Sequence, residues 1–261
     1  SNMASILKTR DLSREFGGLI AVDSVNLDIE ENSLVGLIGP NGAGKTTLFN
    51  LLTGVYEPTR GMIMLQAEKS FTSIGGMKPY QITKMGLART FQNIRLFKNK
   101  SVLDNVKIAM HKDIQYGVVA GILRLPSFFK EENRVHEMAM ELLNEVHLAD
   151  KANELAKNLP YGEQRRLEIA RALATKPKIL FLDEPAAGMN PQETKELTDL
   201  IRHIREQFKV TIILIEHDMS LVMNLCEKIY VLNYGECIAC GTPEEIKNNP
   251  KVIEAYLGED D

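Results

Sequence analysis

The chain has 261 residues, enough for one large domain or two subdomains, and its 44% hydrophobic and 25% charged residues are ordinary for a soluble globular protein. Its net charge of −4 argues against a protein that coats nucleic acid, and we expect no nucleic-acid partner. Three cysteines are too few for a disulfide framework, which favours a reducing compartment. Cys237 and Cys240 form a C-x-x-C, but no second ligand pair follows at metal-binding spacing, so a zinc site is not expected.

Short apolar runs bounded by turn residues predict strands along much of the chain. Residues 6–65 read as short strands, with turn pairs such as Gly17-Gly18 between them. Continuous apolar runs are typical of strands that are buried on both faces. Such runs are found at residues 34–38, 179–182, 210–215 and 229–232. Helical patterns separate them, which predicts an α/β fold with a mainly parallel sheet.

Two helices are well marked by their patterns. Residues 135–146 place apolar side chains at helical spacing and leave a face of glutamates that is most simply solvated. Asn190 is predicted to cap a second helix that begins at Pro191, because a glutamate follows three residues after the cap. Residues 93–158 lack convincing strand patterns, and we expect them to form a helical subdomain inserted into the α/β core.

A glycine-rich loop follows the run at residues 34–38. Its match to G-x-x-x-x-G-K-[ST] lies between a strand and a predicted helix, the context that this phosphate-binding motif requires. The glycines let backbone N–H groups surround an anion, and Lys45 adds a positive charge for the β- and γ-phosphates. The Thr46 hydroxyl can bind Mg²⁺. We expect the nucleotide to be bound here by Asn41, Gly42, Ala43, Gly44, Lys45, Thr46 and Thr47.

A later apolar run, residues 179–182, ends in two carboxylates. Asp183 lies where a carboxylate beside the phosphate loop can hold Mg²⁺ through its water shell. Glu184 is placed further out, where a general base could polarise the water that attacks the γ-phosphate. Two solvated acids at a strand end are the alternative, and the phosphate loop favours the functional interpretation.

Two other classes of phosphate-loop protein compete with an ATPase. A GTPase needs an N-K-x-D element to bind guanine, and the nearest approach, residues 99–102, lacks the aspartate. A small-molecule kinase shares the phosphate loop, so only the residues around Glu184 can distinguish a kinase from an ATPase.

Further spaced motifs give the chain a resemblance to ABC-transporter ATPases over essentially its whole length. Gln92 resembles the glutamine of the Q-loop, and His217 resembles the switch histidine. Phe16 lies where the family stacks an aromatic ring on adenine. Taken singly, these residues could be a surface amide, a strand-end histidine and a core aromatic ring. Their order and spacing favour the family roles.

Residues 159–166 resemble the family's signature loop, which opens a helix expected here from Arg165 to about residue 174. In the family this loop contacts ATP held by a partner subunit, a role that the resemblance gives to Gly162. The usual signature is L-S-G-G-Q, and Pro160 offers neither a hydroxyl nor a backbone N–H to phosphate. The site completed by this loop is therefore expected to be weaker or differently built. Further departures are Tyr161, Glu163 and, in the D-loop at residues 188–190, Asn190 in place of aspartate.

The resemblance implies roles for the catalytic residues. Glu184 would orient or deprotonate water, His217 would hold the γ-phosphate with that water, and Lys45 would bind the phosphates. Gln92 would sense Mg²⁺ and water and face the membrane subunit. The cofactors implied are ATP and Mg²⁺, the latter at Thr46, Gln92 and Asp183.

The resemblance also implies the domain organisation. The expected fold is a P-loop NTPase core with a mainly parallel sheet, an N-terminal antiparallel β subdomain and an inserted α-helical subdomain. In a single domain of residues 1–261, the core would comprise residues 1–92 and 165–261. The helical subdomain, with the signature loop, would comprise residues 93–164.

A closer resemblance suggests the cargo. Residues 88–97, 183–191 and 248–258 are similar to the ATPases of branched-chain amino acid importers. That resemblance implies membrane permease subunits, a second ATPase subunit in a homo- or heterodimer, an external substrate-binding protein, and a place on the cytoplasmic face of the membrane. The most apolar stretch, residues 116–129, is interrupted and falls short of the ~20 residues that span a bilayer. We expect it either to meet the permease or to be buried in the helical subdomain.

Alternatives from other classes stay open. A related ATPase could power urea or lipopolysaccharide transport with the same chemistry. A soluble ABC protein of DNA repair or translation usually carries long coiled coils or tandem cassettes, and this chain has neither. A non-catalytic nucleotide sensor is disfavoured by the intact Glu184 and His217.

Overall fold

The computed structural model of the chain describes residues 4–40, 44–111 and 126–258, with side chains from residue 130 in the last range. The chain divides into two compact units, the first of Ser1–Arg89 with Lys178–Asp261 and the second of Thr90–Pro177. The second unit is longer than the predicted insert of residues 93–164, because the helix after the signature loop packs on the other helices of that unit. Among the described residues, no helix is at once long enough and apolar enough to cross a bilayer.

The strands of the first unit form two sheets. In chain order they are β1 (Ser5–Phe16), β2 (Leu19–Val25), β3 (Asp28–Glu30), β4 (Leu34–Ile38), β5 (Arg60–Ala67), β6 (Ser70–Ser73), β7 (Leu87–Arg89), β8 (Ile179–Asp183), β9 (Thr211–Ile215), β10 (Lys228–Asn233) and β11 (Glu236–Gly241). The larger sheet has the order β11-β10-β4-β9-β8-β7, and the smaller has the order β2-β1-β5-β6 with β3 beside β1.

The larger sheet is parallel except for the pairing of β10 with β11. Every residue of β4, β8 and β9 is buried, as expected for central strands that are covered on both faces. The continuous apolar runs in the sequence therefore predicted these strands correctly. Because parallel strands point the same way, the loops after β4, β8 and β9 meet at one edge of the sheet, where ligands bind in such folds.

The smaller sheet is antiparallel, as expected for the N-terminal part of the chain. Phe16 pairs with Leu19 across the predicted Gly17-Gly18 turn, and Gly17 adopts a φ of 60° that suits glycine. The turn between β1 and β2 is thereby fixed.

Helices of both units complete the fold. In chain order they are α1 (Lys45–Leu52), α2 (Pro79–Lys84), α3 (Val102–Met110), α4 (Pro126–Glu145), α5 (Tyr161–Leu173), α6 (Pro191–Phe208), α7 (Met219–Leu225), α8 (Pro243–Lys247) and α9 (Pro250–Leu257). The predicted cap of α6 is confirmed: the Asn190 side chain accepts a hydrogen bond from the Glu193 N–H at 2.9 Å. Glu193 Oε1 accepts the Asn190 N–H in return, which completes a capping box.

In the second unit, α3, α4 and α5 pack against one another. The predicted start of the signature helix at Arg165 is wrong, because α5 begins at Tyr161. Pro160 has a φ of −55° and no N–H, which suits the residue before a helix, and Glu163 favours the first turn. Gly162 therefore lies in the first turn of α5 rather than in a loop. The helical pattern of residues 135–146 lies within α4, which begins earlier, at Pro126.

Candidate active site

The phosphate loop connects β4 to α1 at the carboxyl edge of the parallel sheet. Gly44 has a φ of 95°, and a Cβ built on it would lie 2.5 Å from the Ala21 carbonyl oxygen, so this position requires glycine. In α1, Phe49 packs edge-on against Phe181 of β8, with 5.3 Å between the ring centroids. This contact fixes the helix against the sheet. Three residues predicted to bind phosphate, Asn41, Gly42 and Ala43, lie outside the described residues.

A cleft of about 380 Å³ opens in the first unit at this edge. Its lining brings together six residues that were predicted from distant motifs: Gly44, Lys45, Thr46, Thr47, Glu184 and His217. The remaining lining residues are Leu19, Ile20, Ala21 and Tyr234. The lining thus combines phosphate-loop residues, two catalytic candidates and a largely apolar remainder, a composition suited to a nucleotide.

Glu184 follows β8 directly and has a left-handed backbone, with a φ of 45°. This conformation is uncommon for a residue with a long side chain and is often found at functional sites. The Glu184 N–H donates to the Ile215 carbonyl at 2.9 Å, and the Glu184 carbonyl accepts from the Ala187 N–H at 3.1 Å. Two backbone bonds therefore hold the strained turn that carries the catalytic candidate.

His217 lies between the predicted base and the phosphate-loop lysine. Its Nδ1 is 3.3 Å from Lys45 Nζ, and its Nε2 is 2.5 Å from Glu184 Oε1. A lysine ammonium can only donate, so Nδ1 accepts and Nε2 carries the proton that is given to Glu184. Lys45 Nζ also donates to the Gly39 carbonyl at 2.7 Å. These contacts link the phosphate-loop lysine to the predicted base through one imidazole ring.

Asp183, the predicted Mg²⁺ residue, is buried at the end of β8. Arg89 Nη2 donates to Asp183 Oδ2 at 3.0 Å, and both side chains are about nine-tenths buried. The same guanidinium donates through Nη1 to Asn50 and Thr53 of the segment around α1, each at 2.9 Å. Arg89 therefore orients the aspartate and ties it to the phosphate-loop helix.

The oxygen donors of the first unit fit Mg²⁺, which prefers carboxylate and hydroxyl oxygens and keeps several waters. Thr46 is exposed on the cleft, and Asp183 supplies a carboxylate. Within the described ranges no cluster of three or more His, Cys, Asp or Glu could hold a metal by itself. This donor set suits a cation that is bound largely through nucleotide phosphates.

Phe16, predicted to stack on adenine, is not among the described residues that line the cleft. Its ring lies edge-on to Tyr56 with 5.1 Å between centroids, and the Arg14 guanidinium lies 4.5 Å from its centroid. Both contacts hold the ring at the end of β1. The exposed aromatic residue in the cleft lining is instead Tyr234, on the turn between β10 and β11.

Gln92 and Gly162 belong to the second unit. Gln92 is exposed, and its backbone carbonyl accepts a hydrogen bond from Arg165 Nη2 at 2.9 Å. Arg165 Nη1 donates to the Phe91 carbonyl at 2.6 Å and to Glu168 Oε1 at 2.7 Å. The fully buried guanidinium therefore joins the first turns of α5 to the segment that contains the predicted Q-loop glutamine.

The carboxylate of Glu168 completes this buried cluster. Its Oε2 accepts from the N–H groups of Phe91 at 3.2 Å and Arg95 at 3.3 Å. Burial raises the pKa of Glu168, while the Arg165 charge and these hydrogen bonds lower it. The Q-loop segment is thus held at both its carbonyl and N–H groups by two side chains of one helix.

The sequence interpretation missed several residues of these sites. Arg89 follows the short apolar pair Leu87-Ala88, and Glu216 follows an apolar run and precedes His217. A charged residue in such a place is a signal that could have been used. The buried pair of Arg165 and Glu168 has the spacing of an ordinary solvated pair on a helix, so the sequence does not distinguish it.

Comparisons with known proteins agree with this geometry. The profile of the family described as "ABC transporter" matches residues 22–187. A second profile, described as "Branched-chain amino acid ATP-binding cassette transporter", matches residues 236–261. The first match includes the phosphate loop and Glu184, and the second begins two residues after Tyr234 of the cleft lining.

Relatives and solved structures match along the whole chain. The high-affinity branched-chain amino acid transport ATP-binding protein LivG of Escherichia coli K12 is 50% identical, over 97% of this chain and 98% of its own. The lipopolysaccharide export system ATP-binding protein LptB of Acidithiobacillus ferridurans is 33% identical, over 98% of both chains. A crystal structure of the ADP conformation of an ATP-binding cassette of an ABC transporter is 29% identical, with a TM-score of 0.82, over 98% of this chain and 100% of that one.

Proposed function

Because this chain belongs to the ABC transporter family of ATPases, we propose that it powers the import of branched-chain amino acids by hydrolysing ATP. The whole-length similarity to a branched-chain amino acid transport ATP-binding protein is the observation that carries the proposal. The profile match at residues 236–261 supports the same cargo from a part of the chain outside the ATP cleft. The lower identity to a lipopolysaccharide export protein makes that cargo the weaker candidate.

In the proposed reaction, water attacks the γ-phosphate of ATP bound in the cleft. Glu184 orients this water and accepts its proton, and His217 holds the γ-phosphate beside it. Lys45, which lines the same cleft, binds the β- and γ-phosphates. When bound, Mg²⁺ would neutralise charge on these phosphates, with Thr46, Asp183 and Gln92 as its proposed residues.

The partners follow from the proposed cargo. Membrane permease subunits, reached through the segment that contains Gln92, would carry the amino acid, and an external binding protein would deliver it. The ATPase would act as a homo- or heterodimer on the cytoplasmic face of the membrane. In that dimer Gly162, in the first turn of α5, would approach the ATP of the partner through its backbone N–H. Phe16 is proposed to contact adenine, and Asn41, Gly42 and Ala43 to contact phosphate.

Uptake of labelled leucine, isoleucine and valine tests the proposal in cells whose own copy carries Glu184→Gln. We expect selective loss of this uptake, with other amino acids entering normally. Glu196→Gln, at an exposed glutamate of α6, is the matched control and should leave uptake unchanged. Normal branched-chain uptake in the Glu184→Gln cells, with the protein present, would overturn the cargo proposal.

A further inference from the structure

Glu216 is a buried carboxylate between β9 and His217, with 3% of its surface exposed. Its Oε2 accepts the Ala186 N–H at 3.1 Å. Its Oε1 accepts the N–H groups of His217 at 2.9 Å and Asp218 at 3.4 Å. One carboxylate thereby joins the loop after β8 to the loop after β9.

These two loops carry the residues that are proposed to act on ATP. Ala186 is two residues beyond Glu184, and the His217 ring contacts the Glu184 carboxylate at 2.5 Å. The two loops are therefore joined twice: through the hydrogen bonds of Glu216 to Ala186 and His217, and through the contact between the side chains of His217 and Glu184. The Glu184 N–H also donates to the Ile215 carbonyl at 2.9 Å, so Glu216 adds a second attachment between the two loops, on the side of His217.

The chemistry of the bridge requires two acceptor oxygens. A glutamine has nearly the same shape as Glu216 but only one acceptor oxygen, so its NH₂ group would face the N–H groups of one loop. Burial raises the pKa of Glu216, the three backbone N–H groups lower it, and the neighbouring Glu184 charge raises it further. Burying a carboxylate without a cationic partner costs free energy. An apolar side chain at position 216 would fill the same space without that cost, so packing alone does not explain Glu216.

We propose that Glu216 is a positioning residue for ATP hydrolysis, which holds Glu184 and His217 at the separation where they act together. The inference rests on the roles proposed above for those two residues. Glu216 is not among the described residues that line the cleft, so it acts through its neighbours rather than on ATP.

A double-mutant cycle on the full-length chain tests this inference. Steady-state ATP hydrolysis is measured for the wild type, Glu216→Gln, His217→Ala and the double variant. We expect kcat of Glu216→Gln to fall about 10²-fold, because small displacements of catalytic groups have effects of that size. The KM for ATP should change by less than about threefold. The double variant should be no more than about threefold slower than His217→Ala, since the position of an absent ring no longer matters.

Two further variants keep the test independent of folding. Glu216→Asp retains the charge but is one methylene shorter, so it cannot reach both loops and should also lose turnover. Glu227→Gln is the matched control, because Glu227 accepts the Leu34 N–H at 3.1 Å at the opposite end of the parallel strands. Its kcat should equal that of the wild type. Thermal melting shows whether each variant is folded before its kcat is compared with that of the wild type.

The outcomes separate the inference from the function on which it rests. Losses that multiply in the double variant, or full turnover of folded Glu216→Gln and Glu216→Asp, would overturn the role of Glu216 alone. Full turnover of His217→Ala would overturn the role proposed for that histidine together with the inference. A double variant within about threefold of His217→Ala would support it.

Discussion

The imidazole of His217 donates a hydrogen bond to the carboxylate of Glu184, with 2.5 Å between Nε2 and Oε1. The other ring nitrogen accepts from Lys45, so the tautomer of His217 is set by a phosphate-loop residue. The γ-phosphate proposed to lie between these groups would compete for the same donors. Binding of ATP and alignment of the base are therefore coupled through one side chain.

Replacing Glu184 with glutamine should stop turnover while leaving ATP binding intact. Glutamine keeps the size and shape of the side chain but cannot accept a proton from water. Loss of a general base lowers rates by about 10²–10⁴-fold. That loss corresponds to about 3–5 kcal/mol of activation free energy. Steady-state phosphate release measures kcat, and equilibrium binding of a fluorescent ATP analogue measures affinity. Turnover at the wild-type rate would remove Glu184 from the catalytic role.

The backbone of Glu184 leads to a separate prediction on stability. A residue with a Cβ in the left-handed region costs roughly 1–2 kcal/mol, and asparagine tolerates that region better than glutamate. We expect Glu184→Asn to be inactive and to raise the melting temperature by roughly 2–4 °C. The change also removes the repulsion between the Glu184 and Glu216 charges.

Lys209 offers a matched control for this prediction. It ends α6 with a left-handed φ of 53° and is not among the described residues that line the cleft. Lys209→Asn should stabilise the protein to a similar degree and leave kcat unchanged, as measured by thermal melting and ATP hydrolysis. If Glu184→Asn melted below the wild type, the left-handed turn would not be a source of strain.

The three cysteines should differ in reactivity. Burial raises the pKa of Cys226 to about 12, so its reactive thiolate is scarce at neutral pH, whereas Cys240 is exposed. Brief treatment of the native protein with iodoacetamide, followed by mass spectrometry, should modify Cys240 and spare Cys226. Unfolding in urea should make Cys226 reactive. Equal labelling of both residues before unfolding would contradict the burial of Cys226.

The elements that the sequence predicted correctly depend on local signals. The continuous apolar runs of the buried strands and the cap at Asn190 are patterns of residues close together in the sequence, and both predictions are confirmed. The family and its fold are confirmed as well. They could be predicted because each family motif is a short local pattern. The predicted start of α5 was wrong because residues 161–164 were assigned to the signature loop, whereas Pro160 is the residue before the helix and they form its first turn.

The contacts that the sequence could not predict join residues far apart in the chain. Arg89 meets Asp183 only because β7 pairs with β8 in the folded sheet. The bridge of Glu216 to Ala186 likewise depends on the pairing of β8 with β9. The apolar runs before Arg89 and Glu216 mark these charges in the sequence, but their partners are set by the tertiary packing itself.

Removal of Arg165 should destabilise the protein strongly. Its guanidinium is fully buried and pairs with Glu168, so Arg165→Met leaves a buried carboxylate without its cation, which costs about 3–5 kcal/mol. Urea unfolding at pH 7 measures this loss. Arg134→Met is the matched control, because Arg134 pairs with Glu131 at the same spacing on exposed surface, where a pair contributes less than about 1 kcal/mol.

The destabilisation by Arg165→Met should also depend on pH. Burial already raises the pKa of Glu168 above its ordinary value of 4.5, and the Arg165 charge opposes that rise, so the variant should have a still higher native pKa. A carboxyl group with a raised native pKa loses stability as pH rises through that pKa, because only the native state keeps the proton. The free-energy gap between wild type and variant should therefore be smallest near pH 4.5 and grow toward pH 7. A gap that stays constant over this range would mean that Glu168 does not ionise in the buried cluster.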